Sequence, residues 1–226
     1  MITEILTMLR PELTQEQLGK FETYYRMLAD WNERVNLTAI TEPEDVAKKH
    51  FIDSLAAAPY LPQGARVVDV GTGAGFPGLP LLIVRPDLKL TLMDSLQKRL
   101  KFLEAVLGEL GLKAECAHFR AEDAGRDQRY REKFDVALSR AVSALPVLAE
   151  LTLPLVKVGG VSIAYKGDAR EEIAASKNAL RVLHAVAERV PIASDYGARE
   201  LVLLKKTAPT PKAYPRKAGT PARNPL

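Results

Sequence analysis

The sequence predicts an α/β fold: a mostly parallel sheet with helices on both faces, preceded by a helical extension. Three observations carry that expectation. From Arg66 onward, short β-branched or apolar runs alternate with segments of helical periodicity. The first of those runs feeds directly into a glycine cluster, DVGTGAGFPG, at residues 69–78. Residues 1–62 ahead of it show helical spacing and no strand pattern.

Each element has its own signal. Thr14 and Gln17 form a capping box, and Leu18, Phe21, Tyr25 and Leu28 follow at helical spacing. Trp31 and the pair Tyr24-Tyr25 read as core residues. Glu42-Pro43-Glu44 starts another helical stretch that runs to Pro62. ARVVDVG then reads as a buried strand, with Pro77 suited to the first turn of the helix GLPLLIVRP. KLTLMDS is a second strand, and residues 97–110 form a helix stopped by Gly111. Residues 114–119 give a third strand and FDVALSR a fourth. Residues 145–156 read as helical, GGVSIAYKG as a fifth strand, residues 170–188 as helical, and ELVLLKK as the last strand. The expected organisation is an extension over 1–62, an α/β domain over 63–206 and a tail over 207–226.

Composition narrows the function. With 47% hydrophobic and 27% charged residues, the chain resembles ordinary soluble domains. A single cysteine, Cys116, leaves no internal disulfide and no cysteine cluster for a metal. His50, His118 and His184 lie far apart, so no metal site is expected. The N-terminus lacks a basic stretch followed by an apolar one, and no apolar run is long enough to span a membrane. A cytoplasmic monomer is the expectation.

The net charge of +4 is unevenly placed. Residues 205–226 hold six basic residues, Lys205, Lys206, Lys212, Arg216, Lys217 and Arg223, and no acid. The tail is also rich in proline, so we expect it to be extended or partly disordered. An extended cationic strand suits a phosphate backbone, which makes these six residues, with Lys166 at the end of the fifth strand, the candidate RNA contacts.

The glycine turn says what kind of ligand to expect. Ligands of open α/β sheets bind beyond the carboxyl ends of the strands. Gly71, Gly73 and Gly75 sit there, where a missing Cβ lets the backbone meet a ligand at contact distance. Asp94 ends the second strand about 20 residues further on, placed to accept from the two hydroxyls of a ribose. The ligand therefore contains a nucleoside. Two classes fit: GAGFPG matches the dinucleotide fingerprint, and DVGTGAG matches the pattern of S-adenosylmethionine (SAM) methyltransferases. Asp69 ahead of the glycines favours SAM, since a carboxylate there can pair with the methionine ammonium. The helical prelude and the lack of a Tyr-x-x-x-Lys set point the same way.

Longer stretches carry a resemblance. WNERVNLTAI (31–40), HFIDSLAA (50–57), DVGTGAGFPGLPL (69–81), DSLQKRLKFL (94–103), SRAVSAL (139–145) and LVLLKK (201–206) resemble, in order, one family. It is the bacterial ribosomal RNA small-subunit methyltransferase G family, also called glucose-inhibited division protein B. The resemblance implies a Rossmann-like SAM-dependent methyltransferase fold and methyl transfer from SAM to N7 of a guanine in 16S ribosomal RNA, free or in the small ribosomal subunit. By the same resemblance, Gly71 and Phe76 match cofactor-contacting positions, and Asp94 with Ser95 matches the ribose side. Ala121 and Glu122 match the pair bordering the adenine, and Arg140 the arginine that ends the fourth strand.

The residues agree with that chemistry. Guanine N7 carries a free lone pair, so its methylation needs alignment and no general base. Cys116 lies inside a strand and is not presented as a nucleophile. No Asn-Pro-Pro-Tyr-like segment follows the fourth strand, where LSRAVS stands. Arg140 is the candidate catalytic residue, able to fork onto guanine O6, a phosphate or the cofactor carboxylate. His50 either stacks on RNA or packs, and Lys98, Arg99 and Lys101 read as a solvated helix face. Two other classes stay open from the residues alone: a nicotinamide-dependent oxidoreductase and a non-catalytic RNA-binding protein on the same fold.

Overall fold

The computed structural model describes residues 1–226. Its centre is a seven-stranded sheet in the order β3-β2-β1-β4-β5-β7-β6. The strands are β1 (Arg66–Val70), β2 (Lys89–Asp94), β3 (Glu115–His118), β4 (Phe134–Arg140), β5 (Val156–Lys166), β6 (Ala185–Ile192) and β7 (Arg199–Lys206). The first five pair in parallel, and β7 runs antiparallel between β5 and β6. Parallel strands covered on both faces bury nearly every side chain. Val67, Val68 and Val70 of β1 are accordingly all buried.

Two helices open the chain, α1 (Ile2–Leu9) and α2 (Gln15–Val35). The capping box at Thr14 forms as the sequence predicts: Gln17 N–H donates to Thr14 Oγ1 at 3.2 Å, and Thr14 N–H donates to Gln17 Oε1 at 3.0 Å. Leu18, Phe21, Tyr24 and Leu28 line the buried face of α2. They join one core with Phe76, Leu79, Phe102 and Leu103, so the helical extension and the sheet are stabilised together. The next stretch is α3 (Pro43–Asp45), a π-helical segment Val46–Ile52, and α4 (Asp53–Leu55). Helices α5 (Gly78–Val84), α6 (Gln97–Leu110), α7 (Ala121–Ala124) and α8 (Leu145–Thr152) follow β1 to β4 in turn. Gly111 ends α6 in the left-handed conformation at φ +63°, as the glycine there predicts.

The structure corrects the segment 170–188. Two short helices, α9 (Arg170–Ala175) and α10 (Lys177–Val182), occupy its first part, and His184 turns the chain at φ +55°. Residues 185–192 then form β6, a strand absent from the sequence reading. Ala187 and Val190 also fit a helical period, which is why the pattern misleads. The unpaired edge of β7 decides the outcome, since pairing there satisfies both backbones. Pro191 is tolerated because β6 is the sheet edge.

The tail is corrected too. It is neither disordered nor free, but folds back on the body and ends in a helical turn, α11 (Thr220–Arg223), with Pro221 buried. Arg131 reaches it with two N–H groups, donating to Tyr214 O at 2.8 Å and Thr210 O at 2.8 Å. Arg126 donates to Pro215 O at 2.8 Å. Arg216 makes a bidentate pair with Glu150, whose side chain is fully buried. A proline-rich strand with no core of its own is therefore ordered by acids and arginines of α7, α8 and the loop between α7 and β4.

Candidate active site

The sheet order reverses at β1, between β2 and β4, and that switch point is where the open α/β sheet leaves a crevice. The carboxyl ends of β1, β2 and β4 deliver Gly71, Asp94 and Arg140 to it. Two adjoining pockets fill the crevice. The first, of about 280 Å³, is lined by Gly71, Met93, Asp94, Ser95, Ala121 and Glu122 among others. The second, of about 180 Å³, is lined by Thr38, His50, Gly73, Phe76 and Arg140. Gly71, Arg99 and Ala141 border both.

The first pocket has an acid at each side. Asp94 is 2% exposed, with both oxygens engaged. Leu96 N–H donates to Oδ1 at 2.9 Å, and Gly73 N–H to Oδ2 at 3.0 Å. Arg99 Nη1 donates to Oδ2 at 3.3 Å. Arg99 is thus part of the site, where its sequence context suggested a solvated face. Glu122 is buried, and its Oε1 accepts from Gly219 N–H at 2.9 Å, so the tail fixes an acid of this pocket. Met93, Val142 and Leu151 supply apolar walls.

The three glycines of the turn have different reasons. All carry positive φ, at +69°, +60° and +101° for Gly71, Gly73 and Gly75. A Cβ on Gly71 would lie 2.8 Å from Val142, and one on Gly75 would lie 2.6 Å from the Tyr24 hydroxyl. Gly73 alone has open space beside it, with only Gly71 O near, at 3.9 Å. The sequence reading gave all three to the ligand. Gly71 and Gly73 line the pockets, whereas Gly75 lines neither and admits the chain's own Tyr24, whose hydroxyl donates to Ala74 O.

Asp69 sits behind the turn. It is fully buried and lines neither pocket. Its Oδ2 accepts from Thr72 Oγ1 at 2.7 Å and from Gly78 N–H at 2.9 Å, bracing the turn from behind. Its Oδ1 has no partner. Burial pushes the carboxyl up to about 6, against the pull of the Thr72 and Gly78 hydrogen bonds. A side chain so enclosed holds the loop from behind, outside the walls of both pockets.

The second pocket is built around Phe76. His50 stacks on one side of it at 4.4 Å between ring centroids, and Tyr24 stacks at 5.4 Å. The Arg140 guanidinium carbon lies 5.1 Å from the Phe76 centroid. Arg140 Nη1 donates to Lys49 O at 2.8 Å and to Asp53 Oδ2 at 3.2 Å, and Nη2 bonds His50 Nδ1 at 3.0 Å. Asp53 is itself held by Arg199, at 2.8 Å to each oxygen, and by Tyr196 at 3.0 Å. Arg140 is legible in the sequence as a site residue; Asp53 and Thr38 are not, and Arg99 and Tyr24 read there as a solvated face and as core. The motifs that carry Thr38 and Asp53, NLTAI and HFIDSL, contain no glycine or charge cluster to mark them.

The RNA candidates separate. Lys206 is fully buried, donating to Glu132 at 2.6 Å and to the carbonyls of Leu153 and Val156, and cannot touch RNA. Arg216 is committed to Glu150. Lys166 is held by Glu172 and by Ser143 O, both at 2.7 Å, and so braces the loop after β4. Lys205 is exposed and paired with Glu188. Lys212 and Lys217 are exposed with no protein partner, and exposed Arg223 bonds only Gly219 O, at 3.2 Å. No group of three metal-ligating side chains comes together. No helix is long and apolar enough to cross a membrane.

Comparison with known proteins settles the family. The family model for rRNA small subunit methyltransferase G matches residues 17–202. The chain belongs to that family. Ribosomal RNA small subunit methyltransferase G of Desulfitobacterium hafniense is 52% identical over 220 residues, covering 95% of this chain and 92% of the relative. That of Brevibacillus brevis is 46% identical, covering 99% and 97%. Among solved structures, a methyltransferase from Pyrococcus furiosus matches with a TM-score of 0.58 at 12% identity, over 83% of this chain and 98% of that one. A SAM-dependent O-methyltransferase from Thermotoga maritima matches at 0.55 and 16% identity, over 81% and 73%. These confirm the Rossmann-like methyltransferase fold. A SAM-dependent rRNA methyltransferase must hold a nucleoside and an amino acid group side by side, and the two adjoining pockets fit that shape.

Proposed function

We propose that this methyltransferase transfers a methyl group from SAM to N7 of a guanine in 16S ribosomal RNA, acting on the RNA or the small ribosomal subunit. It would do so as a cytoplasmic monomer. The observation that carries the reading is the pair of buried acids, Asp94 and Glu122, in one pocket that opens past Gly71 and Ala141 onto Arg140. When bound, SAM supplies an electrophilic methyl on a sulfonium. Asp94 accepts from the ribose hydroxyls, and Glu122 from the amino group of the adenine. Gly73 leaves the backbone uncovered where the ligand passes over the turn.

Arg140 has five N–H donors, and the protein takes three. Its Nε–H and one Nη2 N–H stay available at the second pocket. A carboxylate fits such a fork, so the amino acid end of the cofactor is its partner. The guanine N7 lone pair forms the new C–N bond as the C–S bond breaks, and no proton moves. The groups present match that requirement. His50 is engaged at both ring nitrogens, Asp69 is walled in, and burial pushes the Cys116 thiol up to about 11, outside both pockets. Lys212, Lys217 and Arg223 are the remaining tail cations for the phosphate backbone.

Titration calorimetry with SAM and with NAD, followed by transfer of labelled methyl to small-subunit RNA, tests the reading. SAM should bind and NAD should not. NAD binding with no transfer to RNA would support a dehydrogenase instead.

A further inference from the structure

We infer that His50 is a positioning residue for Arg140: its Nδ1 lone pair fixes the guanidinium on which methyl transfer depends. The inference rests on Arg140 acting at the second pocket, as proposed above. It goes further by assigning a role, a tautomer and a required acceptor atom to His50.

Phe76 covers the face of the Arg140 guanidinium, whose N–H groups can be fixed only by acceptors. Three hold the far side of Arg140: Lys49 O at 2.8 Å, Asp53 Oδ2 at 3.2 Å and His50 Nδ1 at 3.0 Å. The first two both take Nη1. His50 alone takes Nη2, the nitrogen whose other hydrogen serves the pocket. The guanidinium is one rigid plane, so the two Nη1 contacts pin one edge of it and the His50 contact pins the other; without the Nδ1 lone pair the plane is held at the Nη1 edge alone and can tilt about it.

The structure also sets which nitrogen is bare. Arg140 is always a donor, so Nδ1 must accept. The proton then sits on Nε2, which lies 2.9 Å from Thr38 Oγ1 and donates to it. Thr38 is held in turn, its Oγ1 accepting from Ile40 N–H at 3.0 Å. The imidazole face rests on Phe76, so the ring cannot rotate without breaking a stack. The ring is 7% exposed. Three contacts thus hold the ring: Thr38 and Arg140 fix a neutral histidine in one tautomer, and Phe76 fixes its plane. The π-helical segment Val46–Ile52 brings His50, Lys49 O and Asp53 to bear on one guanidinium, and such segments gather at functional sites.

Asparagine and glutamine separate this role from packing. The Asn side-chain oxygen can stand where Nδ1 stands; the Gln oxygen reaches the Nε2 position instead. Single-turnover methyl transfer to small ribosomal subunits is measured for His50→Asn, His50→Gln, Arg140→Ala and the double variant H50Q/R140A, each checked for melting temperature. H50N should stay within about 5-fold of the parent, and H50Q should lose about 20-fold or more. On the R140A background, H50Q should add no more than about 2-fold, because the residue acts through Arg140. Equal rates for H50N and H50Q, or a full multiplicative loss in the double variant, would overturn the inference. R140A as active as the parent would overturn the assignment of Arg140 itself, whereas an inactive R140A with a fully active H50Q would overturn only the role of His50. Should H50Q melt below the assay temperature, imidazole ¹⁵N spectra of the folded parent and R140A decide. The parent should show the Nε2–H form alone, and R140A a mixture; an unchanged spectrum would sink the idea.

Discussion

Tyr24 and Gly75 occupy adjoining space: a Cβ on Gly75 would lie 2.6 Å from the Tyr24 hydroxyl, which donates to Ala74 O. The helical extension is thereby locked to the glycine turn. Gly75→Ala has to displace a buried tyrosine and adopt φ +101°. It should cost about 3 kcal/mol by overpacking and backbone strain together, read as a drop in chemical-denaturation stability. Gly73→Ala has open space and needs only the left-handed conformation, so its cost should be about 1 kcal/mol. The same Gly73→Ala should weaken SAM strongly. Equal stability losses for the two variants would show that the turn's glycines are interchangeable.

Arg216 and Lys217 are neighbours in sequence with opposite fates. Arg216→Ala strands Glu150, a buried carboxylate, and should cost about 3 kcal/mol. Lys217→Ala is a surface change and should stay within about 0.5 kcal/mol. Thermal melts check both. The triple change of Lys212, Lys217 and Arg223 to Ala should leave the melt alone and lower the salt slope of RNA binding by about 2, at ~0.7 per charge. Superimposable salt plots would mean that the tail touches no RNA.

Much of this was legible in the sequence, and the rest was hidden for physical reasons. The glycine turn, Asp94 and Arg140 announce themselves, because backbone freedom and a charge at a strand end are local signals. Strand β6 did not, since its small apolar residues fit two periods and only the free edge of β7 chooses between them. The tail looked unstructured because its order comes from Glu122, Glu132 and Glu150, acids far away in the chain. Arg99 looked like a solvent-facing helix residue until the fold turned it toward Asp94. His50 could not be placed without knowing that Phe76 and Arg140 meet it.

Two buried groups give stability an opposed pH dependence. Burial, with Arg140 beside it, pulls His50 from its usual 6.5 down to about 4, while Asp53 and Asp45 pull it the other way. The unfolded chain then binds the extra proton between those values, so this group's contribution is lost as pH falls from 6.5 toward 4. Asp69 is raised from 3.8 to about 6, so the folded chain holds its proton more tightly, and that contribution is lost as pH rises through 6. Each is worth roughly 3 kcal/mol at most. Relative to the parent, H50N should gain stability as pH falls from 6.5 to 4, and Asp69→Asn should gain as pH rises from 4 to 6. Denaturation curves across that range check the signs; parallel curves would contradict the burial of both groups.

Asp94→Ala removes the acceptor at the ribose side and should weaken SAM by roughly 1–3 kcal/mol. Because Gly73 N–H and Leu96 N–H also lose their acceptor, a melt must accompany the titration. An unchanged affinity in a folded variant would remove Asp94 from the cofactor site.

The central claim is that this pocket pair methylates a guanine at N7, and the most direct measurement is to find the methyl group. Small ribosomal subunits lacking the modification are incubated with the protein and methyl-labelled SAM, and the 16S RNA is reduced and cleaved with aniline, which cuts at N7-methylguanine. The account predicts one new cleavage, at a guanine, coincident with the label and much slower to appear with Arg140→Ala. Label that resists aniline, or that lies on another base or on ribose, would contradict it.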